Sequence, residues 1–334
     1  VQPATPELSV VIPCYNEAKN LGPLLERLRP VLDGLKMSYE VVFVDDGSRD
    51  DTFPMLAQAH AADPRLKVVA LSRNFGKETA LTAGLRYARG AAVVPMDADL
   101  QHPPELIPQL VAEWRAGAEV VVALRRSRDT DPYWRRVASR AFFRVFNYLS
   151  ETPIIAGGGD YRLFDRRVVE VLNRLPERAR FLKGLYSWVG FRQRMVPYDV
   201  QPRREGQTSF NLFGLARYAV DAVTSFSTFP LRVWFYFGLG VMFLALLFAI
   251  WVALDVVIHG KEVPGFATLV MLIVFFGGIQ SLMLGIMGMY IGRIFNEAKG
   301  RPLFVVRQTV GVDEREVTLG GEAPAPRQPE RRAG

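Results

Sequence analysis

Residues 91–105 read AAVVPMDADLQHPPE. An apolar run, Ala91–Met96, gives way to two carboxylates, Asp97 and Asp99. Pro103 and Pro104 follow, and they suit a first helical turn because a missing N–H costs nothing there. A strand that ends in acids and hands over to a helix is the repeating unit of a parallel α/β sheet. The same succession recurs upstream and once downstream. Further strands are expected at Leu8–Pro13, Glu40–Val44, Leu66–Leu71 and Glu119–Leu124, with helices at Glu17–Leu32, Thr52–Ala62, Lys77–Ala88 and Pro104–Arg115. Arg192–Val200 reads as a later strand, and Pro302–Arg307 as a short strand returning to this domain. The 334 residues suffice for one large α/β domain and an appendage.

Ligands of open parallel sheets bind beyond the carboxyl ends of the strands. Here those ends carry Pro13-Cys14-Tyr15-Asn16-Glu17, Asp45-Asp46-Gly47-Ser48, Ser72-Arg73-Asn74-Phe75-Gly76-Lys77 and Asp97-Ala98-Asp99-Leu100-Gln101. Five carboxylates at one edge repel unless a cation or donor groups compensate. An Asp-x-Asp pair at a strand end suits one hard cation, Mg²⁺ or Mn²⁺, which also takes diphosphate oxygens and neutralises a departing diphosphate. No Gly-x-Gly-x-x-Gly follows the first strand and no Walker A occurs, which argues against dinucleotide redox and P-loop hydrolysis. Cys14 is the single cysteine, so an intrachain disulfide or a zinc–cysteine cluster is excluded, and Cys14 is expected as a buried filler. The three histidines are dispersed, with no zinc-hydrolase spacing.

The back of the chain has another character. Val233–Leu254 and Phe266–Ile291 contain no charged residue. At ~1.5 Å per residue each exceeds the ~30 Å of bilayer hydrocarbon. Arg232 precedes the first run, and Arg293, Lys299 and Arg301 follow the second. The positive-inside rule then places both outer flanks and the N-terminal domain in the cytoplasm. The expected organisation is an α/β head domain over 1–209, an amphipathic interfacial helix over 210–230, membrane spans at 231–257 and 264–292, a return segment over 293–310 and a disordered tail over 311–334.

Together PCYNE, VDDGS, RNFGK and DADLQHPPE resemble the family 2 inverting glycosyltransferases of the GT-A (Rossmann-like) fold. From Leu8 to Arg307 the chain is more closely similar to the polyisoprenyl-phosphate glycosyltransferases, among them the bactoprenol glucosyltransferases, dolichyl-phosphate mannose synthase and the undecaprenyl-phosphate aminoarabinose transferase. The resemblance implies that Pro13, Tyr15, Glu17 and Asp46 hold the nucleoside, with Asp97 at the ribose–diphosphate side. It implies that Asp99 and Gln101, with Asp97 nearby, hold the metal, and that Gly159-Asp160-Tyr161-Arg162 supplies, in Asp160, the acid proposed as catalytic base. It implies a nucleotide-sugar donor, with UDP-glucose the first expectation, a polyprenyl phosphate acceptor such as undecaprenyl phosphate, and a homotetramer in the inner membrane. Arg203 matches a family R-x-x-G-x-S-K pattern, in which Ser209 here replaces the final Lys.

Two further features are read from the residues. Gly157–Gly159 let backbone approach a ligand closely, so Asp160 is expected to aim into the site. Seven arginines lie between Arg125 and Arg144. Arg135 and Ser139 are one helical turn apart and suit a phosphate clasp, while the whole basic stretch equally suits anionic lipid head groups. The lipid-phosphate set read here is Arg125, Arg128, Arg135, Ser139 and Arg203. The net charge of +7 also raises nucleic acid as a partner, but no helix-turn-helix, RRM or aromatic–basic platform accompanies it. A processive polysaccharide synthase is disfavoured because its Gln-x-x-Arg-Trp motif is absent. A non-catalytic nucleotide-sugar scaffold is disfavoured by the intact carboxylate set.

Overall fold

A computed structural model describes residues 5–126, 144, 147, 158–178, 181–199, 229–259 and 265–312. The apolar runs form β1 (Leu8–Cys14), β2 (Tyr39–Asp45), β3 (Leu66–Leu71), β4 (Ala92–Pro95) and β5 (Val120–Arg125). The intervening helices are α1 (Ala18–Gly34), α2 (Thr52–Ala62), α3 (Lys77–Tyr87) and α4 (Ile107–Arg115), the last led in by a 3₁₀ turn at Pro104–Leu106. After β6 (Gly158–Asp165) come α5 (Arg166–Arg174), α6 (Leu182–Trp188), β7 (Gln193–Tyr198), the long helices α7 (Phe229–His259) and α8 (Phe266–Ala298), and finally β8 (Val306–Val310).

These strands make one eight-stranded sheet in the order β7-β5-β6-β4-β1-β2-β3-β8. The expected parallel core is present: β1 pairs in parallel with both β2 and β4, and β2 with β3. The sheet as a whole is mixed, because β6 inserts antiparallel between β4 and β5 and β8 runs antiparallel on the β3 edge. Alternation along β1 explains the layers. Leu8, Val10, Ile12 and Cys14 join one core with Leu21, Leu24 and Leu28 of α1 and Ile107 and Leu110 of α4. Val11 faces the other way, against α3, where a Cβ added to Gly84 would overlap its side chain. Every residue of β2 is buried, as expected of strands covered on both faces. The buried Glu40 accepts from Ser9 Oγ at 2.6 Å, Lys67 Nζ at 2.5 Å and the Arg89 N–H at 2.6 Å, so its charge is compensated.

The chain divides into two compact units, one of Val1–Arg144, Thr152–Asn211 and Pro302–Gly334, the other of Val145–Glu151 and Leu212–Arg301. α7 begins earlier and ends later than its apolar run, and α8 begins with its run at Phe266 but continues past it, carrying Arg293 and Glu297. Among the described residues, Phe275–Ala298 is long and apolar enough to cross a membrane, and Val233–Phe248 is a shorter apolar stretch. The expected interfacial helix over 210–230 falls almost wholly outside the described residues, as does the tail beyond Val312.

Candidate active site

The carboxyl ends of the parallel strands open onto a cavity of about 660 Å³. Its lining includes Pro13, Tyr15, Glu17, Asp46, Asp97 and Asp99, six residues singled out from the sequence, together with Asp50, Asn74 and Lys77. Two left-handed residues shape the rim: Asn16 (φ 56°) turns the chain out of β1, and Leu100 (φ 62°) turns it after Asp99. A left-handed conformation costs a branched residue roughly 1–2 kcal/mol, and such strain is common at functional sites.

Backbone bonds lock these ends together. The Asn16 N–H donates to Ser48 Oγ at 2.9 Å, and the Arg49 N–H donates back to Asn16 Oδ1 at 2.8 Å. The Glu17 N–H donates to Thr52 Oγ1 at 2.9 Å. Asp46 has a definite task here: its two oxygens accept from the N–H groups of Phe75 at 2.7 Å and Gly76 at 2.8 Å, holding the loop that leads into α3. Burial raises the Asp46 pKa, and those two amides oppose the rise. Gly47, at φ 69°, sits so close to the Arg73 backbone that a Cβ would collide with it. Cys14 is buried in the cavity floor, where burial pushes its thiol pKa well up, a structural rather than a nucleophilic state.

The centre of the site is an ion cluster. Lys77 Nζ lies 2.6 Å from Asp97 Oδ1 and 2.8 Å from Asp97 Oδ2, and 3.2 Å from Asp160 Oδ2. Burial works against the ammonium, yet the two carboxylates outweigh it and raise the Lys77 pKa. Burial likewise favours a neutral Asp160, but the Lys77 charge, with Lys183 behind it, holds that carboxyl far below the usual range. Asp97 is lowered in the same way, against its burial, by Lys77 and then His102. His102 is buried; it stacks on Tyr161 at 4.7 Å between centroids, and its Nδ1 accepts the Asp97 N–H at 3.1 Å. Behind Asp160, Arg162 is 1% exposed; its Nε donates to Gly159 O at 2.9 Å and its guanidinium lies over the Tyr186 ring.

The donor set fits a hard divalent cation shared with a ligand. Asp97 and Asp99 line the same cavity and offer carboxylate oxygens, while no group of three His, Cys, Asp or Glu among the described residues could hold a metal by itself. Remaining coordination positions would then fall to diphosphate and water. Gln101 is absent from the lining; its backbone N–H holds Asp99 Oδ1 at 3.1 Å. Arg125 ends β5 beside Tyr198, whose hydroxyl bonds to it. Arg128, Arg135, Ser139 and Arg203 lie outside the described residues. Lys77 is the residue that sequence reading passed over. Its place at the end of RNFGK was visible, but its two partners come from distant strands.

The pattern of glycosyl transferase family 2 matches residues 9–172, the span that builds this site. An uncharacterized glycosyltransferase of Synechocystis is 46% identical over 309 residues, covering 92% of this chain and 97% of that protein. The chain belongs to glycosyl transferase family 2. Within the family it is also 40% identical over 302 residues to a prophage bactoprenol glucosyl transferase homolog of Escherichia coli, across 90% of this chain and 99% of that one. A solved glucosyl-3-phosphoglycerate synthase of Mycobacterium tuberculosis, in complex with Mn²⁺, uridine diphosphate and phosphoglyceric acid, is 22% identical with a TM-score of 0.45 over 66% of this chain and 77% of that one. The sheet unit of this family 2 enzyme thus carries the mixed α/β, GT-A-type core expected from the sequence.

Proposed function

We propose that this family 2 glycosyltransferase moves one sugar, glucose first among the candidates, from a nucleoside diphosphate to a polyprenyl phosphate at a membrane surface, with inversion. The observation that carries the reading is the convergence of Pro13, Tyr15, Glu17, Asp46, Asp97 and Asp99, from three strand ends, on one cavity. Relatives that match almost end to end and bear the name bactoprenol glucosyl transferase support the acceptor. We assign the nucleoside to the Pro13–Glu17 and Asp46 side and the diphosphate to Asp97 and Asp99, with Mg²⁺ or Mn²⁺. When bound, such an ion supplies the charge that steadies a departing diphosphate. The acceptor phosphate, with a second pKa of ~6, is already largely deprotonated at neutral pH. Asp160, kept ionised by Lys77, therefore serves to orient the acceptor rather than to strip its proton.

Chain order supports a membrane hairpin. The chain leaves the sheet unit before α7 and rejoins it at Pro302, so the crossings in between must be even in number. If Phe275–Ala298 crosses, α7 crosses as well. This reading keeps the catalytic head over 1–209, spans at 231–257 and 264–292, and the lipid-phosphate role of Arg125, Arg128, Arg135, Ser139 and Arg203.

The test is direct. Purified full-length protein is incubated with undecaprenyl phosphate, Mg²⁺ or Mn²⁺ and a panel of labelled nucleotide sugars. A lipid-linked monosaccharide should form, fastest from UDP-glucose. Label appearing in a long polymer, or only as free sugar, would overturn the reading.

A further inference from the structure

A lysine ammonium lies between two of the acids of this site. Both oxygens of Asp97 lie within hydrogen-bonding distance of Lys77 Nζ, at 2.6 and 2.8 Å, and Asp160 Oδ2 lies 3.2 Å from the same nitrogen. Asp99 is not on this ammonium; one of its oxygens takes the Gln101 N–H. One member of the Asp-x-Asp pair, Asp97, is therefore already engaged by a full positive charge. A divalent ion that joins Asp97 to Asp99 must approach a carboxylate whose two oxygens are gripped by an ammonium. Two cations on one carboxylate repel, and the partial burial of Asp97, 21% exposed, weakens the screening by water. Lys77 has somewhere to go: its side chain is 46% exposed, so it is not wedged in place, and Asp160 is already within reach.

We propose that Lys77 is a resident counter-ion which a divalent cation displaces from Asp97, leaving the ammonium on Asp160 as a positioning group for that carboxylate. The inference rests on the metal reading of Asp97 and Asp99 given above. It adds an exchange: before loading, one ammonium compensates two acids, and after loading each acid has a cation of its own. Lys77 stays protonated throughout, so no proton is transferred in the exchange. The position of α3 makes it possible, since Lys77 opens that helix and Gly76 before it is tied to Asp46 by its N–H. Donor-side loading and the orientation of Asp160 thereby act through one side chain.

The experiment measures Mn²⁺ binding to full-length protein in detergent without nucleotide, by electron paramagnetic resonance of the free ion. Wild type is compared with Lys77→Met, Lys77→Arg and Asp99→Ala, each checked for an unchanged unfolding temperature. Lys77→Met removes the competitor and should bind Mn²⁺ about tenfold more tightly, the scale on which one nearby charge shifts an ionic equilibrium. Lys77→Arg keeps the competing charge and should bind within about twofold of wild type. Asp99→Ala should lose most binding. Should Asp99→Ala bind like wild type, the metal reading fails. Should Asp99→Ala lose binding while Lys77→Met binds no more tightly than wild type, the metal reading stands and the exchange is overturned. Should Lys77→Met not fold, Lys77→Arg decides: tighter Mn²⁺ binding with the charge retained would overturn the exchange, and wild-type affinity would support it.

Discussion

Asp160 is 18% exposed at its side chain and sits against an ammonium that keeps it ionised well below ordinary carboxylate pH. A carboxylate so stabilised is a weak base. Asp160→Asn should lower turnover by roughly two orders of magnitude, the scale of a positioned acid–base group. Raising the pH to ~8.5 should not restore it, because the acceptor's own second ionisation near ~6 is complete by then. Recovery at high pH would show that proton removal is the main role. The sign for stability runs the other way. Because the folded pKa is depressed, the Lys77–Asp160 pair stabilises the fold above the unfolded carboxyl value of ~3.9, and that contribution fades as the pH falls through the folded value. Asp99 gives a second prediction at this scale. Asp99→Ala should abolish transfer and leave the thermal transition within a few degrees of wild type. EDTA should reproduce the loss, and Mn²⁺ or Mg²⁺ should reverse it. Full transfer in EDTA would remove the cation from the mechanism. At Gly159 an added Cβ would meet Tyr161 N at 3.9 Å, an ordinary van der Waals contact, so among the described residues no contact requires glycine at that position.

At the scale of elements, α3 connects fold and chemistry most directly. It begins at Lys77 and presses Gly84 against Val11 of β1, so tightly that an added methyl overlaps Val11 and crowds Val44. Gly84→Ala should push the helix off the sheet and cost about 1–3 kcal/mol, as overpacking does. A fall of several degrees in the unfolding temperature, with a lower transfer rate, is the expected readout; an unchanged transition would show that the helix yields freely. The same element shows what could be read from sequence. Its bounds, and those of α2 and β3, were evident because apolar runs and polar breaks coincide there. α5 was missed although Asp165 caps it by accepting the Arg167 N–H at 3.0 Å, with Val168, Val169 and Leu172 forming its buried stripe. A helix this short has little periodicity to read. The placement of β6 between β4 and β5 was not legible either, since pairing across a long connection leaves no local trace. That insertion brings Asp160 to Lys77, which is why the acid pair was seen from sequence and its shared ammonium was not.

At the scale of the whole molecule, the proposed membrane hairpin can be tested without chemistry. A reporter inserted at Gly260 and one placed after Val312 should fall on opposite sides of the membrane. Both on one side would remove the hairpin and leave α7 and α8 as surface helices. The apolar character of these helices contrasts with the sheet unit: Phe235, Tyr236, Val257, Ile273 and Ile294 are all more than 60% exposed, which an aqueous setting would penalise.

The last strand has a consequence for how the protein is made. β8 is the edge strand beside β3, its approach tied down where the Ser72 N–H donates to Val305 O at 2.9 Å, and Phe304 lies under the Arg86 guanidinium. Ribosomes deliver domains in order, and most fold as soon as they emerge. Here the sheet cannot be finished on that schedule, because its eighth strand is synthesised only after both long helices. Until then β3 exposes a row of unpaired N–H and C=O groups, the kind of edge that recruits stray chains. Ser72, at the root of the loop that bears Lys77, waits for the same strand. A nascent chain therefore acquires its closed edge and the anchor of the loop that bears Lys77 in one late event, after both long helices have been synthesised.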